Sequence, residues 1–384
     1  MIKKIVFIDK VCLLLLTCLV FSFFIDSGDP LGIRKLSLLV VALIFIKYAR
    51  DFVLVDFDRI VSWAYIFICM LALYSVIWSS INGVEFVSTL PWIVPLLLLP
   101  VFCYVFMQFK PSIVRLSFIC AGFAFSICVF VVFVCIFIYG DVVKAFFYSL
   151  KFPGWFYLRG DGYPQVYFQS TLAFVVLSLY SFLMGYKKCS AVFLLSLIIS
   201  LSRFGAFVVV LFVILNYILG SRRLANYSFV LMVFLSFAAI PIMLLLYLVL
   251  PANIDYQDTS ETVRFGHVVS VFSSMSPIDY VLGMGPGSFF YSSGFNEFVD
   301  NIEVSQLELF RKYGLIGYSL FHLSLFCLSW NFLVKRNYPA QICFAAFYFV
   351  AFSNPVLVTF LFSIFVSVFL SGCNELTEPD KTQG

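Results

Sequence analysis

Arg203 and Arg264 have the widest chemical reach in this 384-residue chain. A guanidinium is a planar, permanently charged fork of donors that fits two phosphate oxygens at once. Arg203 follows Ser202 between two short apolar stretches. Arg264 lies in the run from Glu261 to His267, at the head of the apolar-periodic segment Phe265–Phe272, which reads as a short amphipathic helix. Beyond it comes Gly283–Met–Gly–Pro–Gly287, where Gly285 and Gly287 are either plain turn residues or backbone that approaches a phosphate closely. No strand precedes this cluster, which excludes a dinucleotide-binding or P-loop motif. Glu303 and Glu308 flank Gln306 just ahead of the next apolar run, and a carboxylate there serves either as general base or as salt-bridge partner of the arginines. Arg159, next to Gly160, Asp161 and Gly162, is either a third cation or one arm of a solvated turn. His267 can share the Arg264 site, whereas His322 sits inside an apolar run and reads as a hydrogen-bonding residue between helices. The chemistry implied is an anion centre with a carboxylate at hand. No acidic cluster has metal-ligand spacing, so no metal is expected.

The elements that position these residues are membrane helices. Hydrophobic residues make up 63% of the chain and charged ones 11%, which excludes an ordinary soluble domain. Apolar runs of bilayer-crossing length recur at Val11–Ile25, Leu36–Tyr48, Ile60–Trp78, Phe86–Met107, Val114–Tyr139 and Val166–Tyr186. They continue at Ser190–Leu201, Phe204–Leu219, Ser228–Leu250, Tyr313–Leu333, Gln341–Phe352 and Val356–Leu370. The expected fold is therefore an all-α polytopic membrane protein with about twelve spans, forming one integral membrane domain over residues 1–373. The basic amino terminus reads as a retained anchor, and residues 374–384 as a short cytoplasmic tail.

Basic pairs at Lys3/Lys4, Lys47/Arg50, Lys110/Arg115, Lys187/Lys188, Arg222/Arg223 and Lys335/Arg336 fall on one side of this arrangement, with Arg34/Lys35 the exception. Positive charge marks the cytoplasmic side, so two long loops, residues 140–165 and 251–312, face outward and hold most of the polar groups. The net charge of +4 comes without a basic cluster, which speaks against nucleic acid. The 11 cysteines fall in spans or at their cytoplasmic ends, and no CxxC motif suggests zinc.

Two stretches fall short of the hydrocarbon core: Ser190–Leu201 is about 18 Å long as a helix and Phe204–Leu219 about 24 Å. Their junction at Ser202–Arg203 is expected below the outer surface, where a guanidinium needs an anionic partner. Ser353–Asn354–Pro355 reads as a second such turn.

In this order and loop placement the chain resembles the bacterial O-antigen polymerase and O-antigen ligase superfamily. Ser202–Arg203 ahead of an apolar helix is similar to the family's Ser-Arg turn. Arg264 ahead of Gly283–Met–Gly–Pro–Gly–Ser–Phe289 is similar to the arginine and Gly-x-Gly segment of its large periplasmic loop. Leu307 through Gly314–Leu–Ile–Gly317 matches its entry into the following span, and Arg159–Gly–Asp–Gly162 with Pro164 is a looser match in the shorter loop. Where the ligase branch carries a His-Asn pair, this chain has Glu303–Val304, which favours the polymerase branch.

The resemblance implies a GT-C-like glycosyltransferase in the bacterial inner membrane with its active site facing the periplasm. Its donor and acceptor are undecaprenyl-pyrophosphate-linked glycans, its partners are the lipid bilayer and a chain-length regulator protein, and it uses no cofactor and no metal. Arg203, Arg264 and Glu303 then take catalytic roles, while Arg203, Arg264, Arg159, His267, Gly285 and Gly287 hold the pyrophosphate. A ligase delivering the glycan to lipid A-core stands as the alternative. A lipid-linked sugar transporter, which internal repeat symmetry would mark, is the reading from another class.

Overall fold

The structure, a computed structural model, describes residues 2–25, 32–52, 58–140, 142–143, 145, 156–157, 167–200, 202–249, 260–302, 304–354 and 356–373. Helices dominate it: α1 (Ile2–Ile25), α2 (Ile33–Phe52), α3 (Arg59–Ile81), α4 (Phe86–Met107) and α5 (Pro111–Tyr139) come first. After the paired strands β1 (Phe156–Tyr157) and β2 (Tyr167–Phe168) follow α6 (Ala173–Leu183), α7 (Lys187–Ile199), α8 (Arg203–Leu219) and α9 (Ser221–Val249). Then come α10 (Ser260–Ser274), α11 (Pro277–Leu282), the hairpin β3 (Phe290–Ser292) and β4 (Glu297–Val299), α12 (Ser305–Val334), α13 (Tyr338–Val350) and α14 (Phe360–Cys373).

Each apolar run expected to cross contains a helix. Six of the helices are long and apolar enough to cross a membrane: α1, α3, α4, α5, α9 and α12. The chain is thus an all-α polytopic membrane protein. Four more among the described residues, Ser170–Leu183 with its 3₁₀ first turn, α8, α13 and α14, are apolar but shorter, and α2 and α7 fall in neither group. The sixth run starts later than its apolar pattern suggests, because Tyr167 and Phe168 pair with Tyr157 and Phe156 before the helix begins.

Local chemistry sets the helix ends. Asp58 Oδ1 accepts from the Ile60 N–H at 3.1 Å to start α3, and Asn337 Oδ1 accepts from the Ala340 N–H at 3.3 Å to start α13. Pro111 opens α5 at a position where its missing N–H removes nothing, and Gly140, at φ 51°, closes it.

Contacts sort the helix ends into two faces. At one face Lys110 Nζ meets Asp9 at 2.8 Å, Tyr104 donates to Tyr48 O at 2.7 Å, Lys335 Nζ meets Asp58 at 3.0 Å, and Asn337 Nδ2 donates to Phe369 O at 3.1 Å. At the other, Ser170 donates to Phe24 O, Trp78 Nε1 donates to Gly283 O at 2.6 Å, and Arg34 stands over the Phe360 ring. The basic residues Lys110 and Lys335 share the first face, and Arg34 lies on the second. By these contacts α1 to α4, and α12 to α14, alternate in direction.

Within the bundle, α12 packs chiefly on α3, α1 on α5 and α14 on α4. The outward residues of α9, among them Tyr227, Val230, Phe234, Phe237 and Leu245, are exposed and apolar, as a lipid-facing surface requires.

Candidate functional site

The start of α12 is tied into the bundle before any charge appears on it. Ser305 N–H donates to Ala351 O at 3.2 Å, its hydroxyl donates to Asn354 O at 2.5 Å, and Val356 N–H donates back to Ser305 Oγ at 3.0 Å. The turn between α13 and α14 thus caps α12 through one serine. From there, residues three and four apart share a helix face, so Glu308, Arg311 and Lys312 project together, and all three are buried.

Arg311 uses its whole fork. Nε and Nη2 donate to the two oxygens of Glu308 at 3.1 and 2.9 Å, Nη1 donates to Ser288 O and Ser288 Oγ at 3.1 and 3.0 Å, and Nη2 also donates to Asp300 O at 2.8 Å. Ser288 precedes β3 and Asp300 follows β4, so one guanidinium holds both feet of the hairpin. Phe290 lies against its face, with the guanidinium carbon 4.5 Å from the ring centre.

Lys312 stands differently. Its ammonium is 2.5 Å from Glu308 Oε1, a second cation on the same carboxylate, and it lies over the Trp92 ring of α4. The Asp300 carboxylate also attracts it.

The glycine-rich loop closes this structure from above. Helix α12 breaks at Gly314 (φ 59°, ψ −169°), which leaves carbonyls of its first two turns without helical donors. Met284 N–H donates to Arg311 O at 2.7 Å and Gly285 N–H to Lys312 O at 3.0 Å, so the loop supplies them. The Gly285 amide is thereby engaged within the protein. A Cβ on Gly287 would stand 2.7 Å from Ser88 O, which fixes the loop against the start of α4. Ser79 of α3 donates to Pro286 O at 3.0 Å, and Tyr74 to Leu282 O.

Helix α10 brings its own residues to the same region. Arg264 is half-buried and His267 fully buried one turn later. His267 Nδ1 is 2.8 Å from Ser292 Oγ at the end of β3, and the ring meets Phe295 edge-on with centres 4.5 Å apart. Burial pushes the His267 pKa down to about 4; Glu308 attracts the charged form, and Arg264 opposes it. The imidazole is neutral at pH 7, and its buried Nε2 has no partner among the described residues. Arg264, His267 and Glu308 are thus electrostatic neighbours.

Of the residues singled out in the sequence, Arg264, His267, Gly285, Gly287 and Glu308 come together around the hairpin and the first turns of α12. Arg203 does not join them. It is exposed at the start of α8, which packs on α6, α7, α9 and α13, and it forms no ion pair with a described residue. The buried anionic partner expected for it is therefore not a described carboxylate. Arg159 and Glu303 lie outside the described residues. Arg311, Lys312, Ser288 and Trp92 were not singled out, although the Glu308, Arg311 and Lys312 spacing at the mouth of an apolar run was a usable signal. Among the described residues, no three His, Cys, Asp or Glu side chains gather as metal ligands would.

No family model matches the chain, and a search of curated proteins finds no match.

Proposed function

We propose that this protein is an O-antigen polymerase of the bacterial inner membrane, a metal-independent glycosyltransferase that joins undecaprenyl-pyrophosphate-linked repeat units at the periplasmic face. In this reading the alternating helices make about twelve crossings of a GT-C-like bundle, with the hairpin face outside. One observation supports it: among the described residues, Arg311 and Lys312 are buried with Glu308 beneath the glycine-rich loop, and Arg264 and Asp300 act electrostatically on the same group of residues. Fixed cations of this kind suit a reaction whose leaving group is a pyrophosphate.

A hydroxyl at the non-reducing end of the acceptor glycan attacks the anomeric carbon of the donor. The new glycosidic C–O bond forms as the bond to the pyrophosphate breaks, and the electron pair leaves on undecaprenyl pyrophosphate. Cations held in place beforehand stabilise that charge without reorganising. Glu303, immediately ahead of α12, takes the hydroxyl proton. Arg203, exposed at the start of α8 and apart from this cluster, meets the donor from the bilayer side.

The lipopolysaccharide banding of a strain lacking the protein tests this reading. A core carrying a single repeat supports it. A core with no repeat would make the protein a ligase instead, and an unaltered ladder would remove it from O-antigen assembly.

A further inference from the structure

We infer that the α6–α7 and α8–α9 turns together form a docking surface for an anionic phospholipid of the surrounding bilayer, with Lys187, Lys188, Arg222 and Arg223 meeting its phosphate.

Ring contacts bring the two turns together at the face that carries Lys110 and Lys335. Tyr180 of α6 meets Phe118, near the Lys110 end of α5, and Phe369, whose carbonyl takes the Asn337 amide. Phe182, at the end of α6, meets Tyr217 at the end of α8 with ring centres 5.6 Å apart. Phe229 of α9 meets Trp330, just ahead of Lys335 on α12. The basic pairs that open α7 and α9 therefore share one corner of this face.

Charge sets the corner apart. Elsewhere on the face, Lys110 is held by Asp9 and Lys335 by Asp58. Residues 162–254 contain no Asp or Glu, and Lys187, Lys188, Arg222 and Arg223 stand exposed with no ion pair to a described residue. Each pair also occupies the first turn of its helix, where the backbone's own partial charge is positive, so neither helix gains from it. Four such cations call for an anion from outside the chain.

The surroundings say which anion. Tyr186, Tyr217 and Tyr227 are exposed beside the two pairs, and exposed Ile214, Ile218 and Val230 continue from them along α8 and α9. Cations, then tyrosine rings, then bare apolar side chains is the order met on passing from headgroups into hydrocarbon. A phospholipid uses all three layers, whereas a soluble anion uses only the first. The corner lies on the face opposite Gly283 and the hairpin, so it stands apart from the proposed reaction and does not rest on it.

Purified protein titrated in neutral detergent with phosphatidylglycerol tests this, with bound lipid counted by native mass spectrometry. Phosphatidylcholine, glycerol phosphate and a poly-glutamate peptide serve as separate arms. Phosphatidylglycerol is expected to saturate its site and to bind about ten-fold or more tighter than phosphatidylcholine or glycerol phosphate. The double variants Lys187→Gln/Lys188→Gln and Arg222→Gln/Arg223→Gln should each weaken it by about ten-fold. Lys110→Gln, which removes a cation already paired, should leave it unchanged.

Without lipid, all three variants should melt like wild type, because exposed cations of this kind hold nothing in the fold. If one pair proves necessary for folding, the other decides. Phosphatidylglycerol binding that persists in a folded double variant, or that falls equally in Lys110→Gln, would overturn the surface. Equal binding of phosphatidylcholine or of glycerol phosphate would overturn the anionic lipid as its occupant. Binding of poly-glutamate in place of the lipid would do the same, and would mean that an acidic protein segment covers this corner.

Discussion

Gly283 and Gly314 meet backbone to backbone: a Cβ on Gly283 would stand 2.5 Å from the Gly314 nitrogen, and a Cβ on Gly314 would strike the Gly283 nitrogen in return. Both have positive φ, 78° and 59°. The loop can cap the broken helix only because neither residue has a side chain. Gly314→Ala is expected to destabilise the protein by roughly 3 kcal/mol or more, since main chain must move as well as twist. Gly220, at φ 75° with open space around it, is the control, and Gly220→Ala should cost only about 1–2 kcal/mol. Thermal unfolding in detergent compares the two, and equal losses would show that the contact is not tight.

The Glu308–Arg311 pair carries the next expectation. Glu308→Gln leaves two buried cations without their carboxylate, and Arg311→Met releases both feet of the hairpin at once. Each should cost about 3–5 kcal/mol. Protease cutting within the β3–β4 hairpin should rise in Arg311→Met, since Ser288 and Asp300 lose their common donor. A hairpin as resistant as wild type would mean that something other than Arg311 holds it.

His267 sets a pH dependence. Its folded pKa, about 4, lies below the ordinary value of 6.5, so between these pH values the unfolded chain binds more protons than the folded one. Stability from this group is complete above pH 6.5 and is lost as pH falls toward 4, by up to about 3 kcal/mol. Melting temperatures of wild type and His267→Gln should diverge at pH 7 and converge as pH drops. Parallel pH profiles would sink this assignment.

How legible these features were depends on how far apart their partners lie. The helices follow from apolar runs that any local window detects, and Arg264 with His267 shares a face by simple helical spacing. The pairing of Arg311 with Ser288 and Asp300 spans a hairpin, and no local pattern encodes it. Glu308 was visible as a carboxylate, but its capture by Arg311 depends on α12 beginning at Ser305 instead of Tyr313. That earlier start is hidden by the polar character of the turn. For Arg203, charge beside short helices suggests burial, whereas the side chain stands exposed at the first residue of α8. The glycine-rich loop looked like a place for a ligand's phosphate. Two of its amides, those of Met284 and Gly285, instead serve the carbonyls freed at Gly314.

The alternation of the helices predicts opposite accessibility for Phe298, exposed on β4, and Arg222, exposed at the start of α9. A membrane-impermeant thiol reagent applied to whole cells with the outer membrane opened should label Phe298→Cys and spare Arg222→Cys. The reverse pattern would invert the bundle and place the candidate site in the cytoplasm.

Chain extension by the purified protein tests the central claim most directly. Given only undecaprenyl-pyrophosphate-linked repeat units, with a chelator present, the protein should build a ladder of lengthening glycans, because the positive charge for the leaving pyrophosphate comes from its own arginines and lysine. Arg264→Lys should extend chains about 10²–10³ more slowly, since a lysine keeps the charge and loses the fork. A protein that stays folded yet leaves the repeat units unjoined, or that transfers them only when lipid A-core is added, would contradict the account.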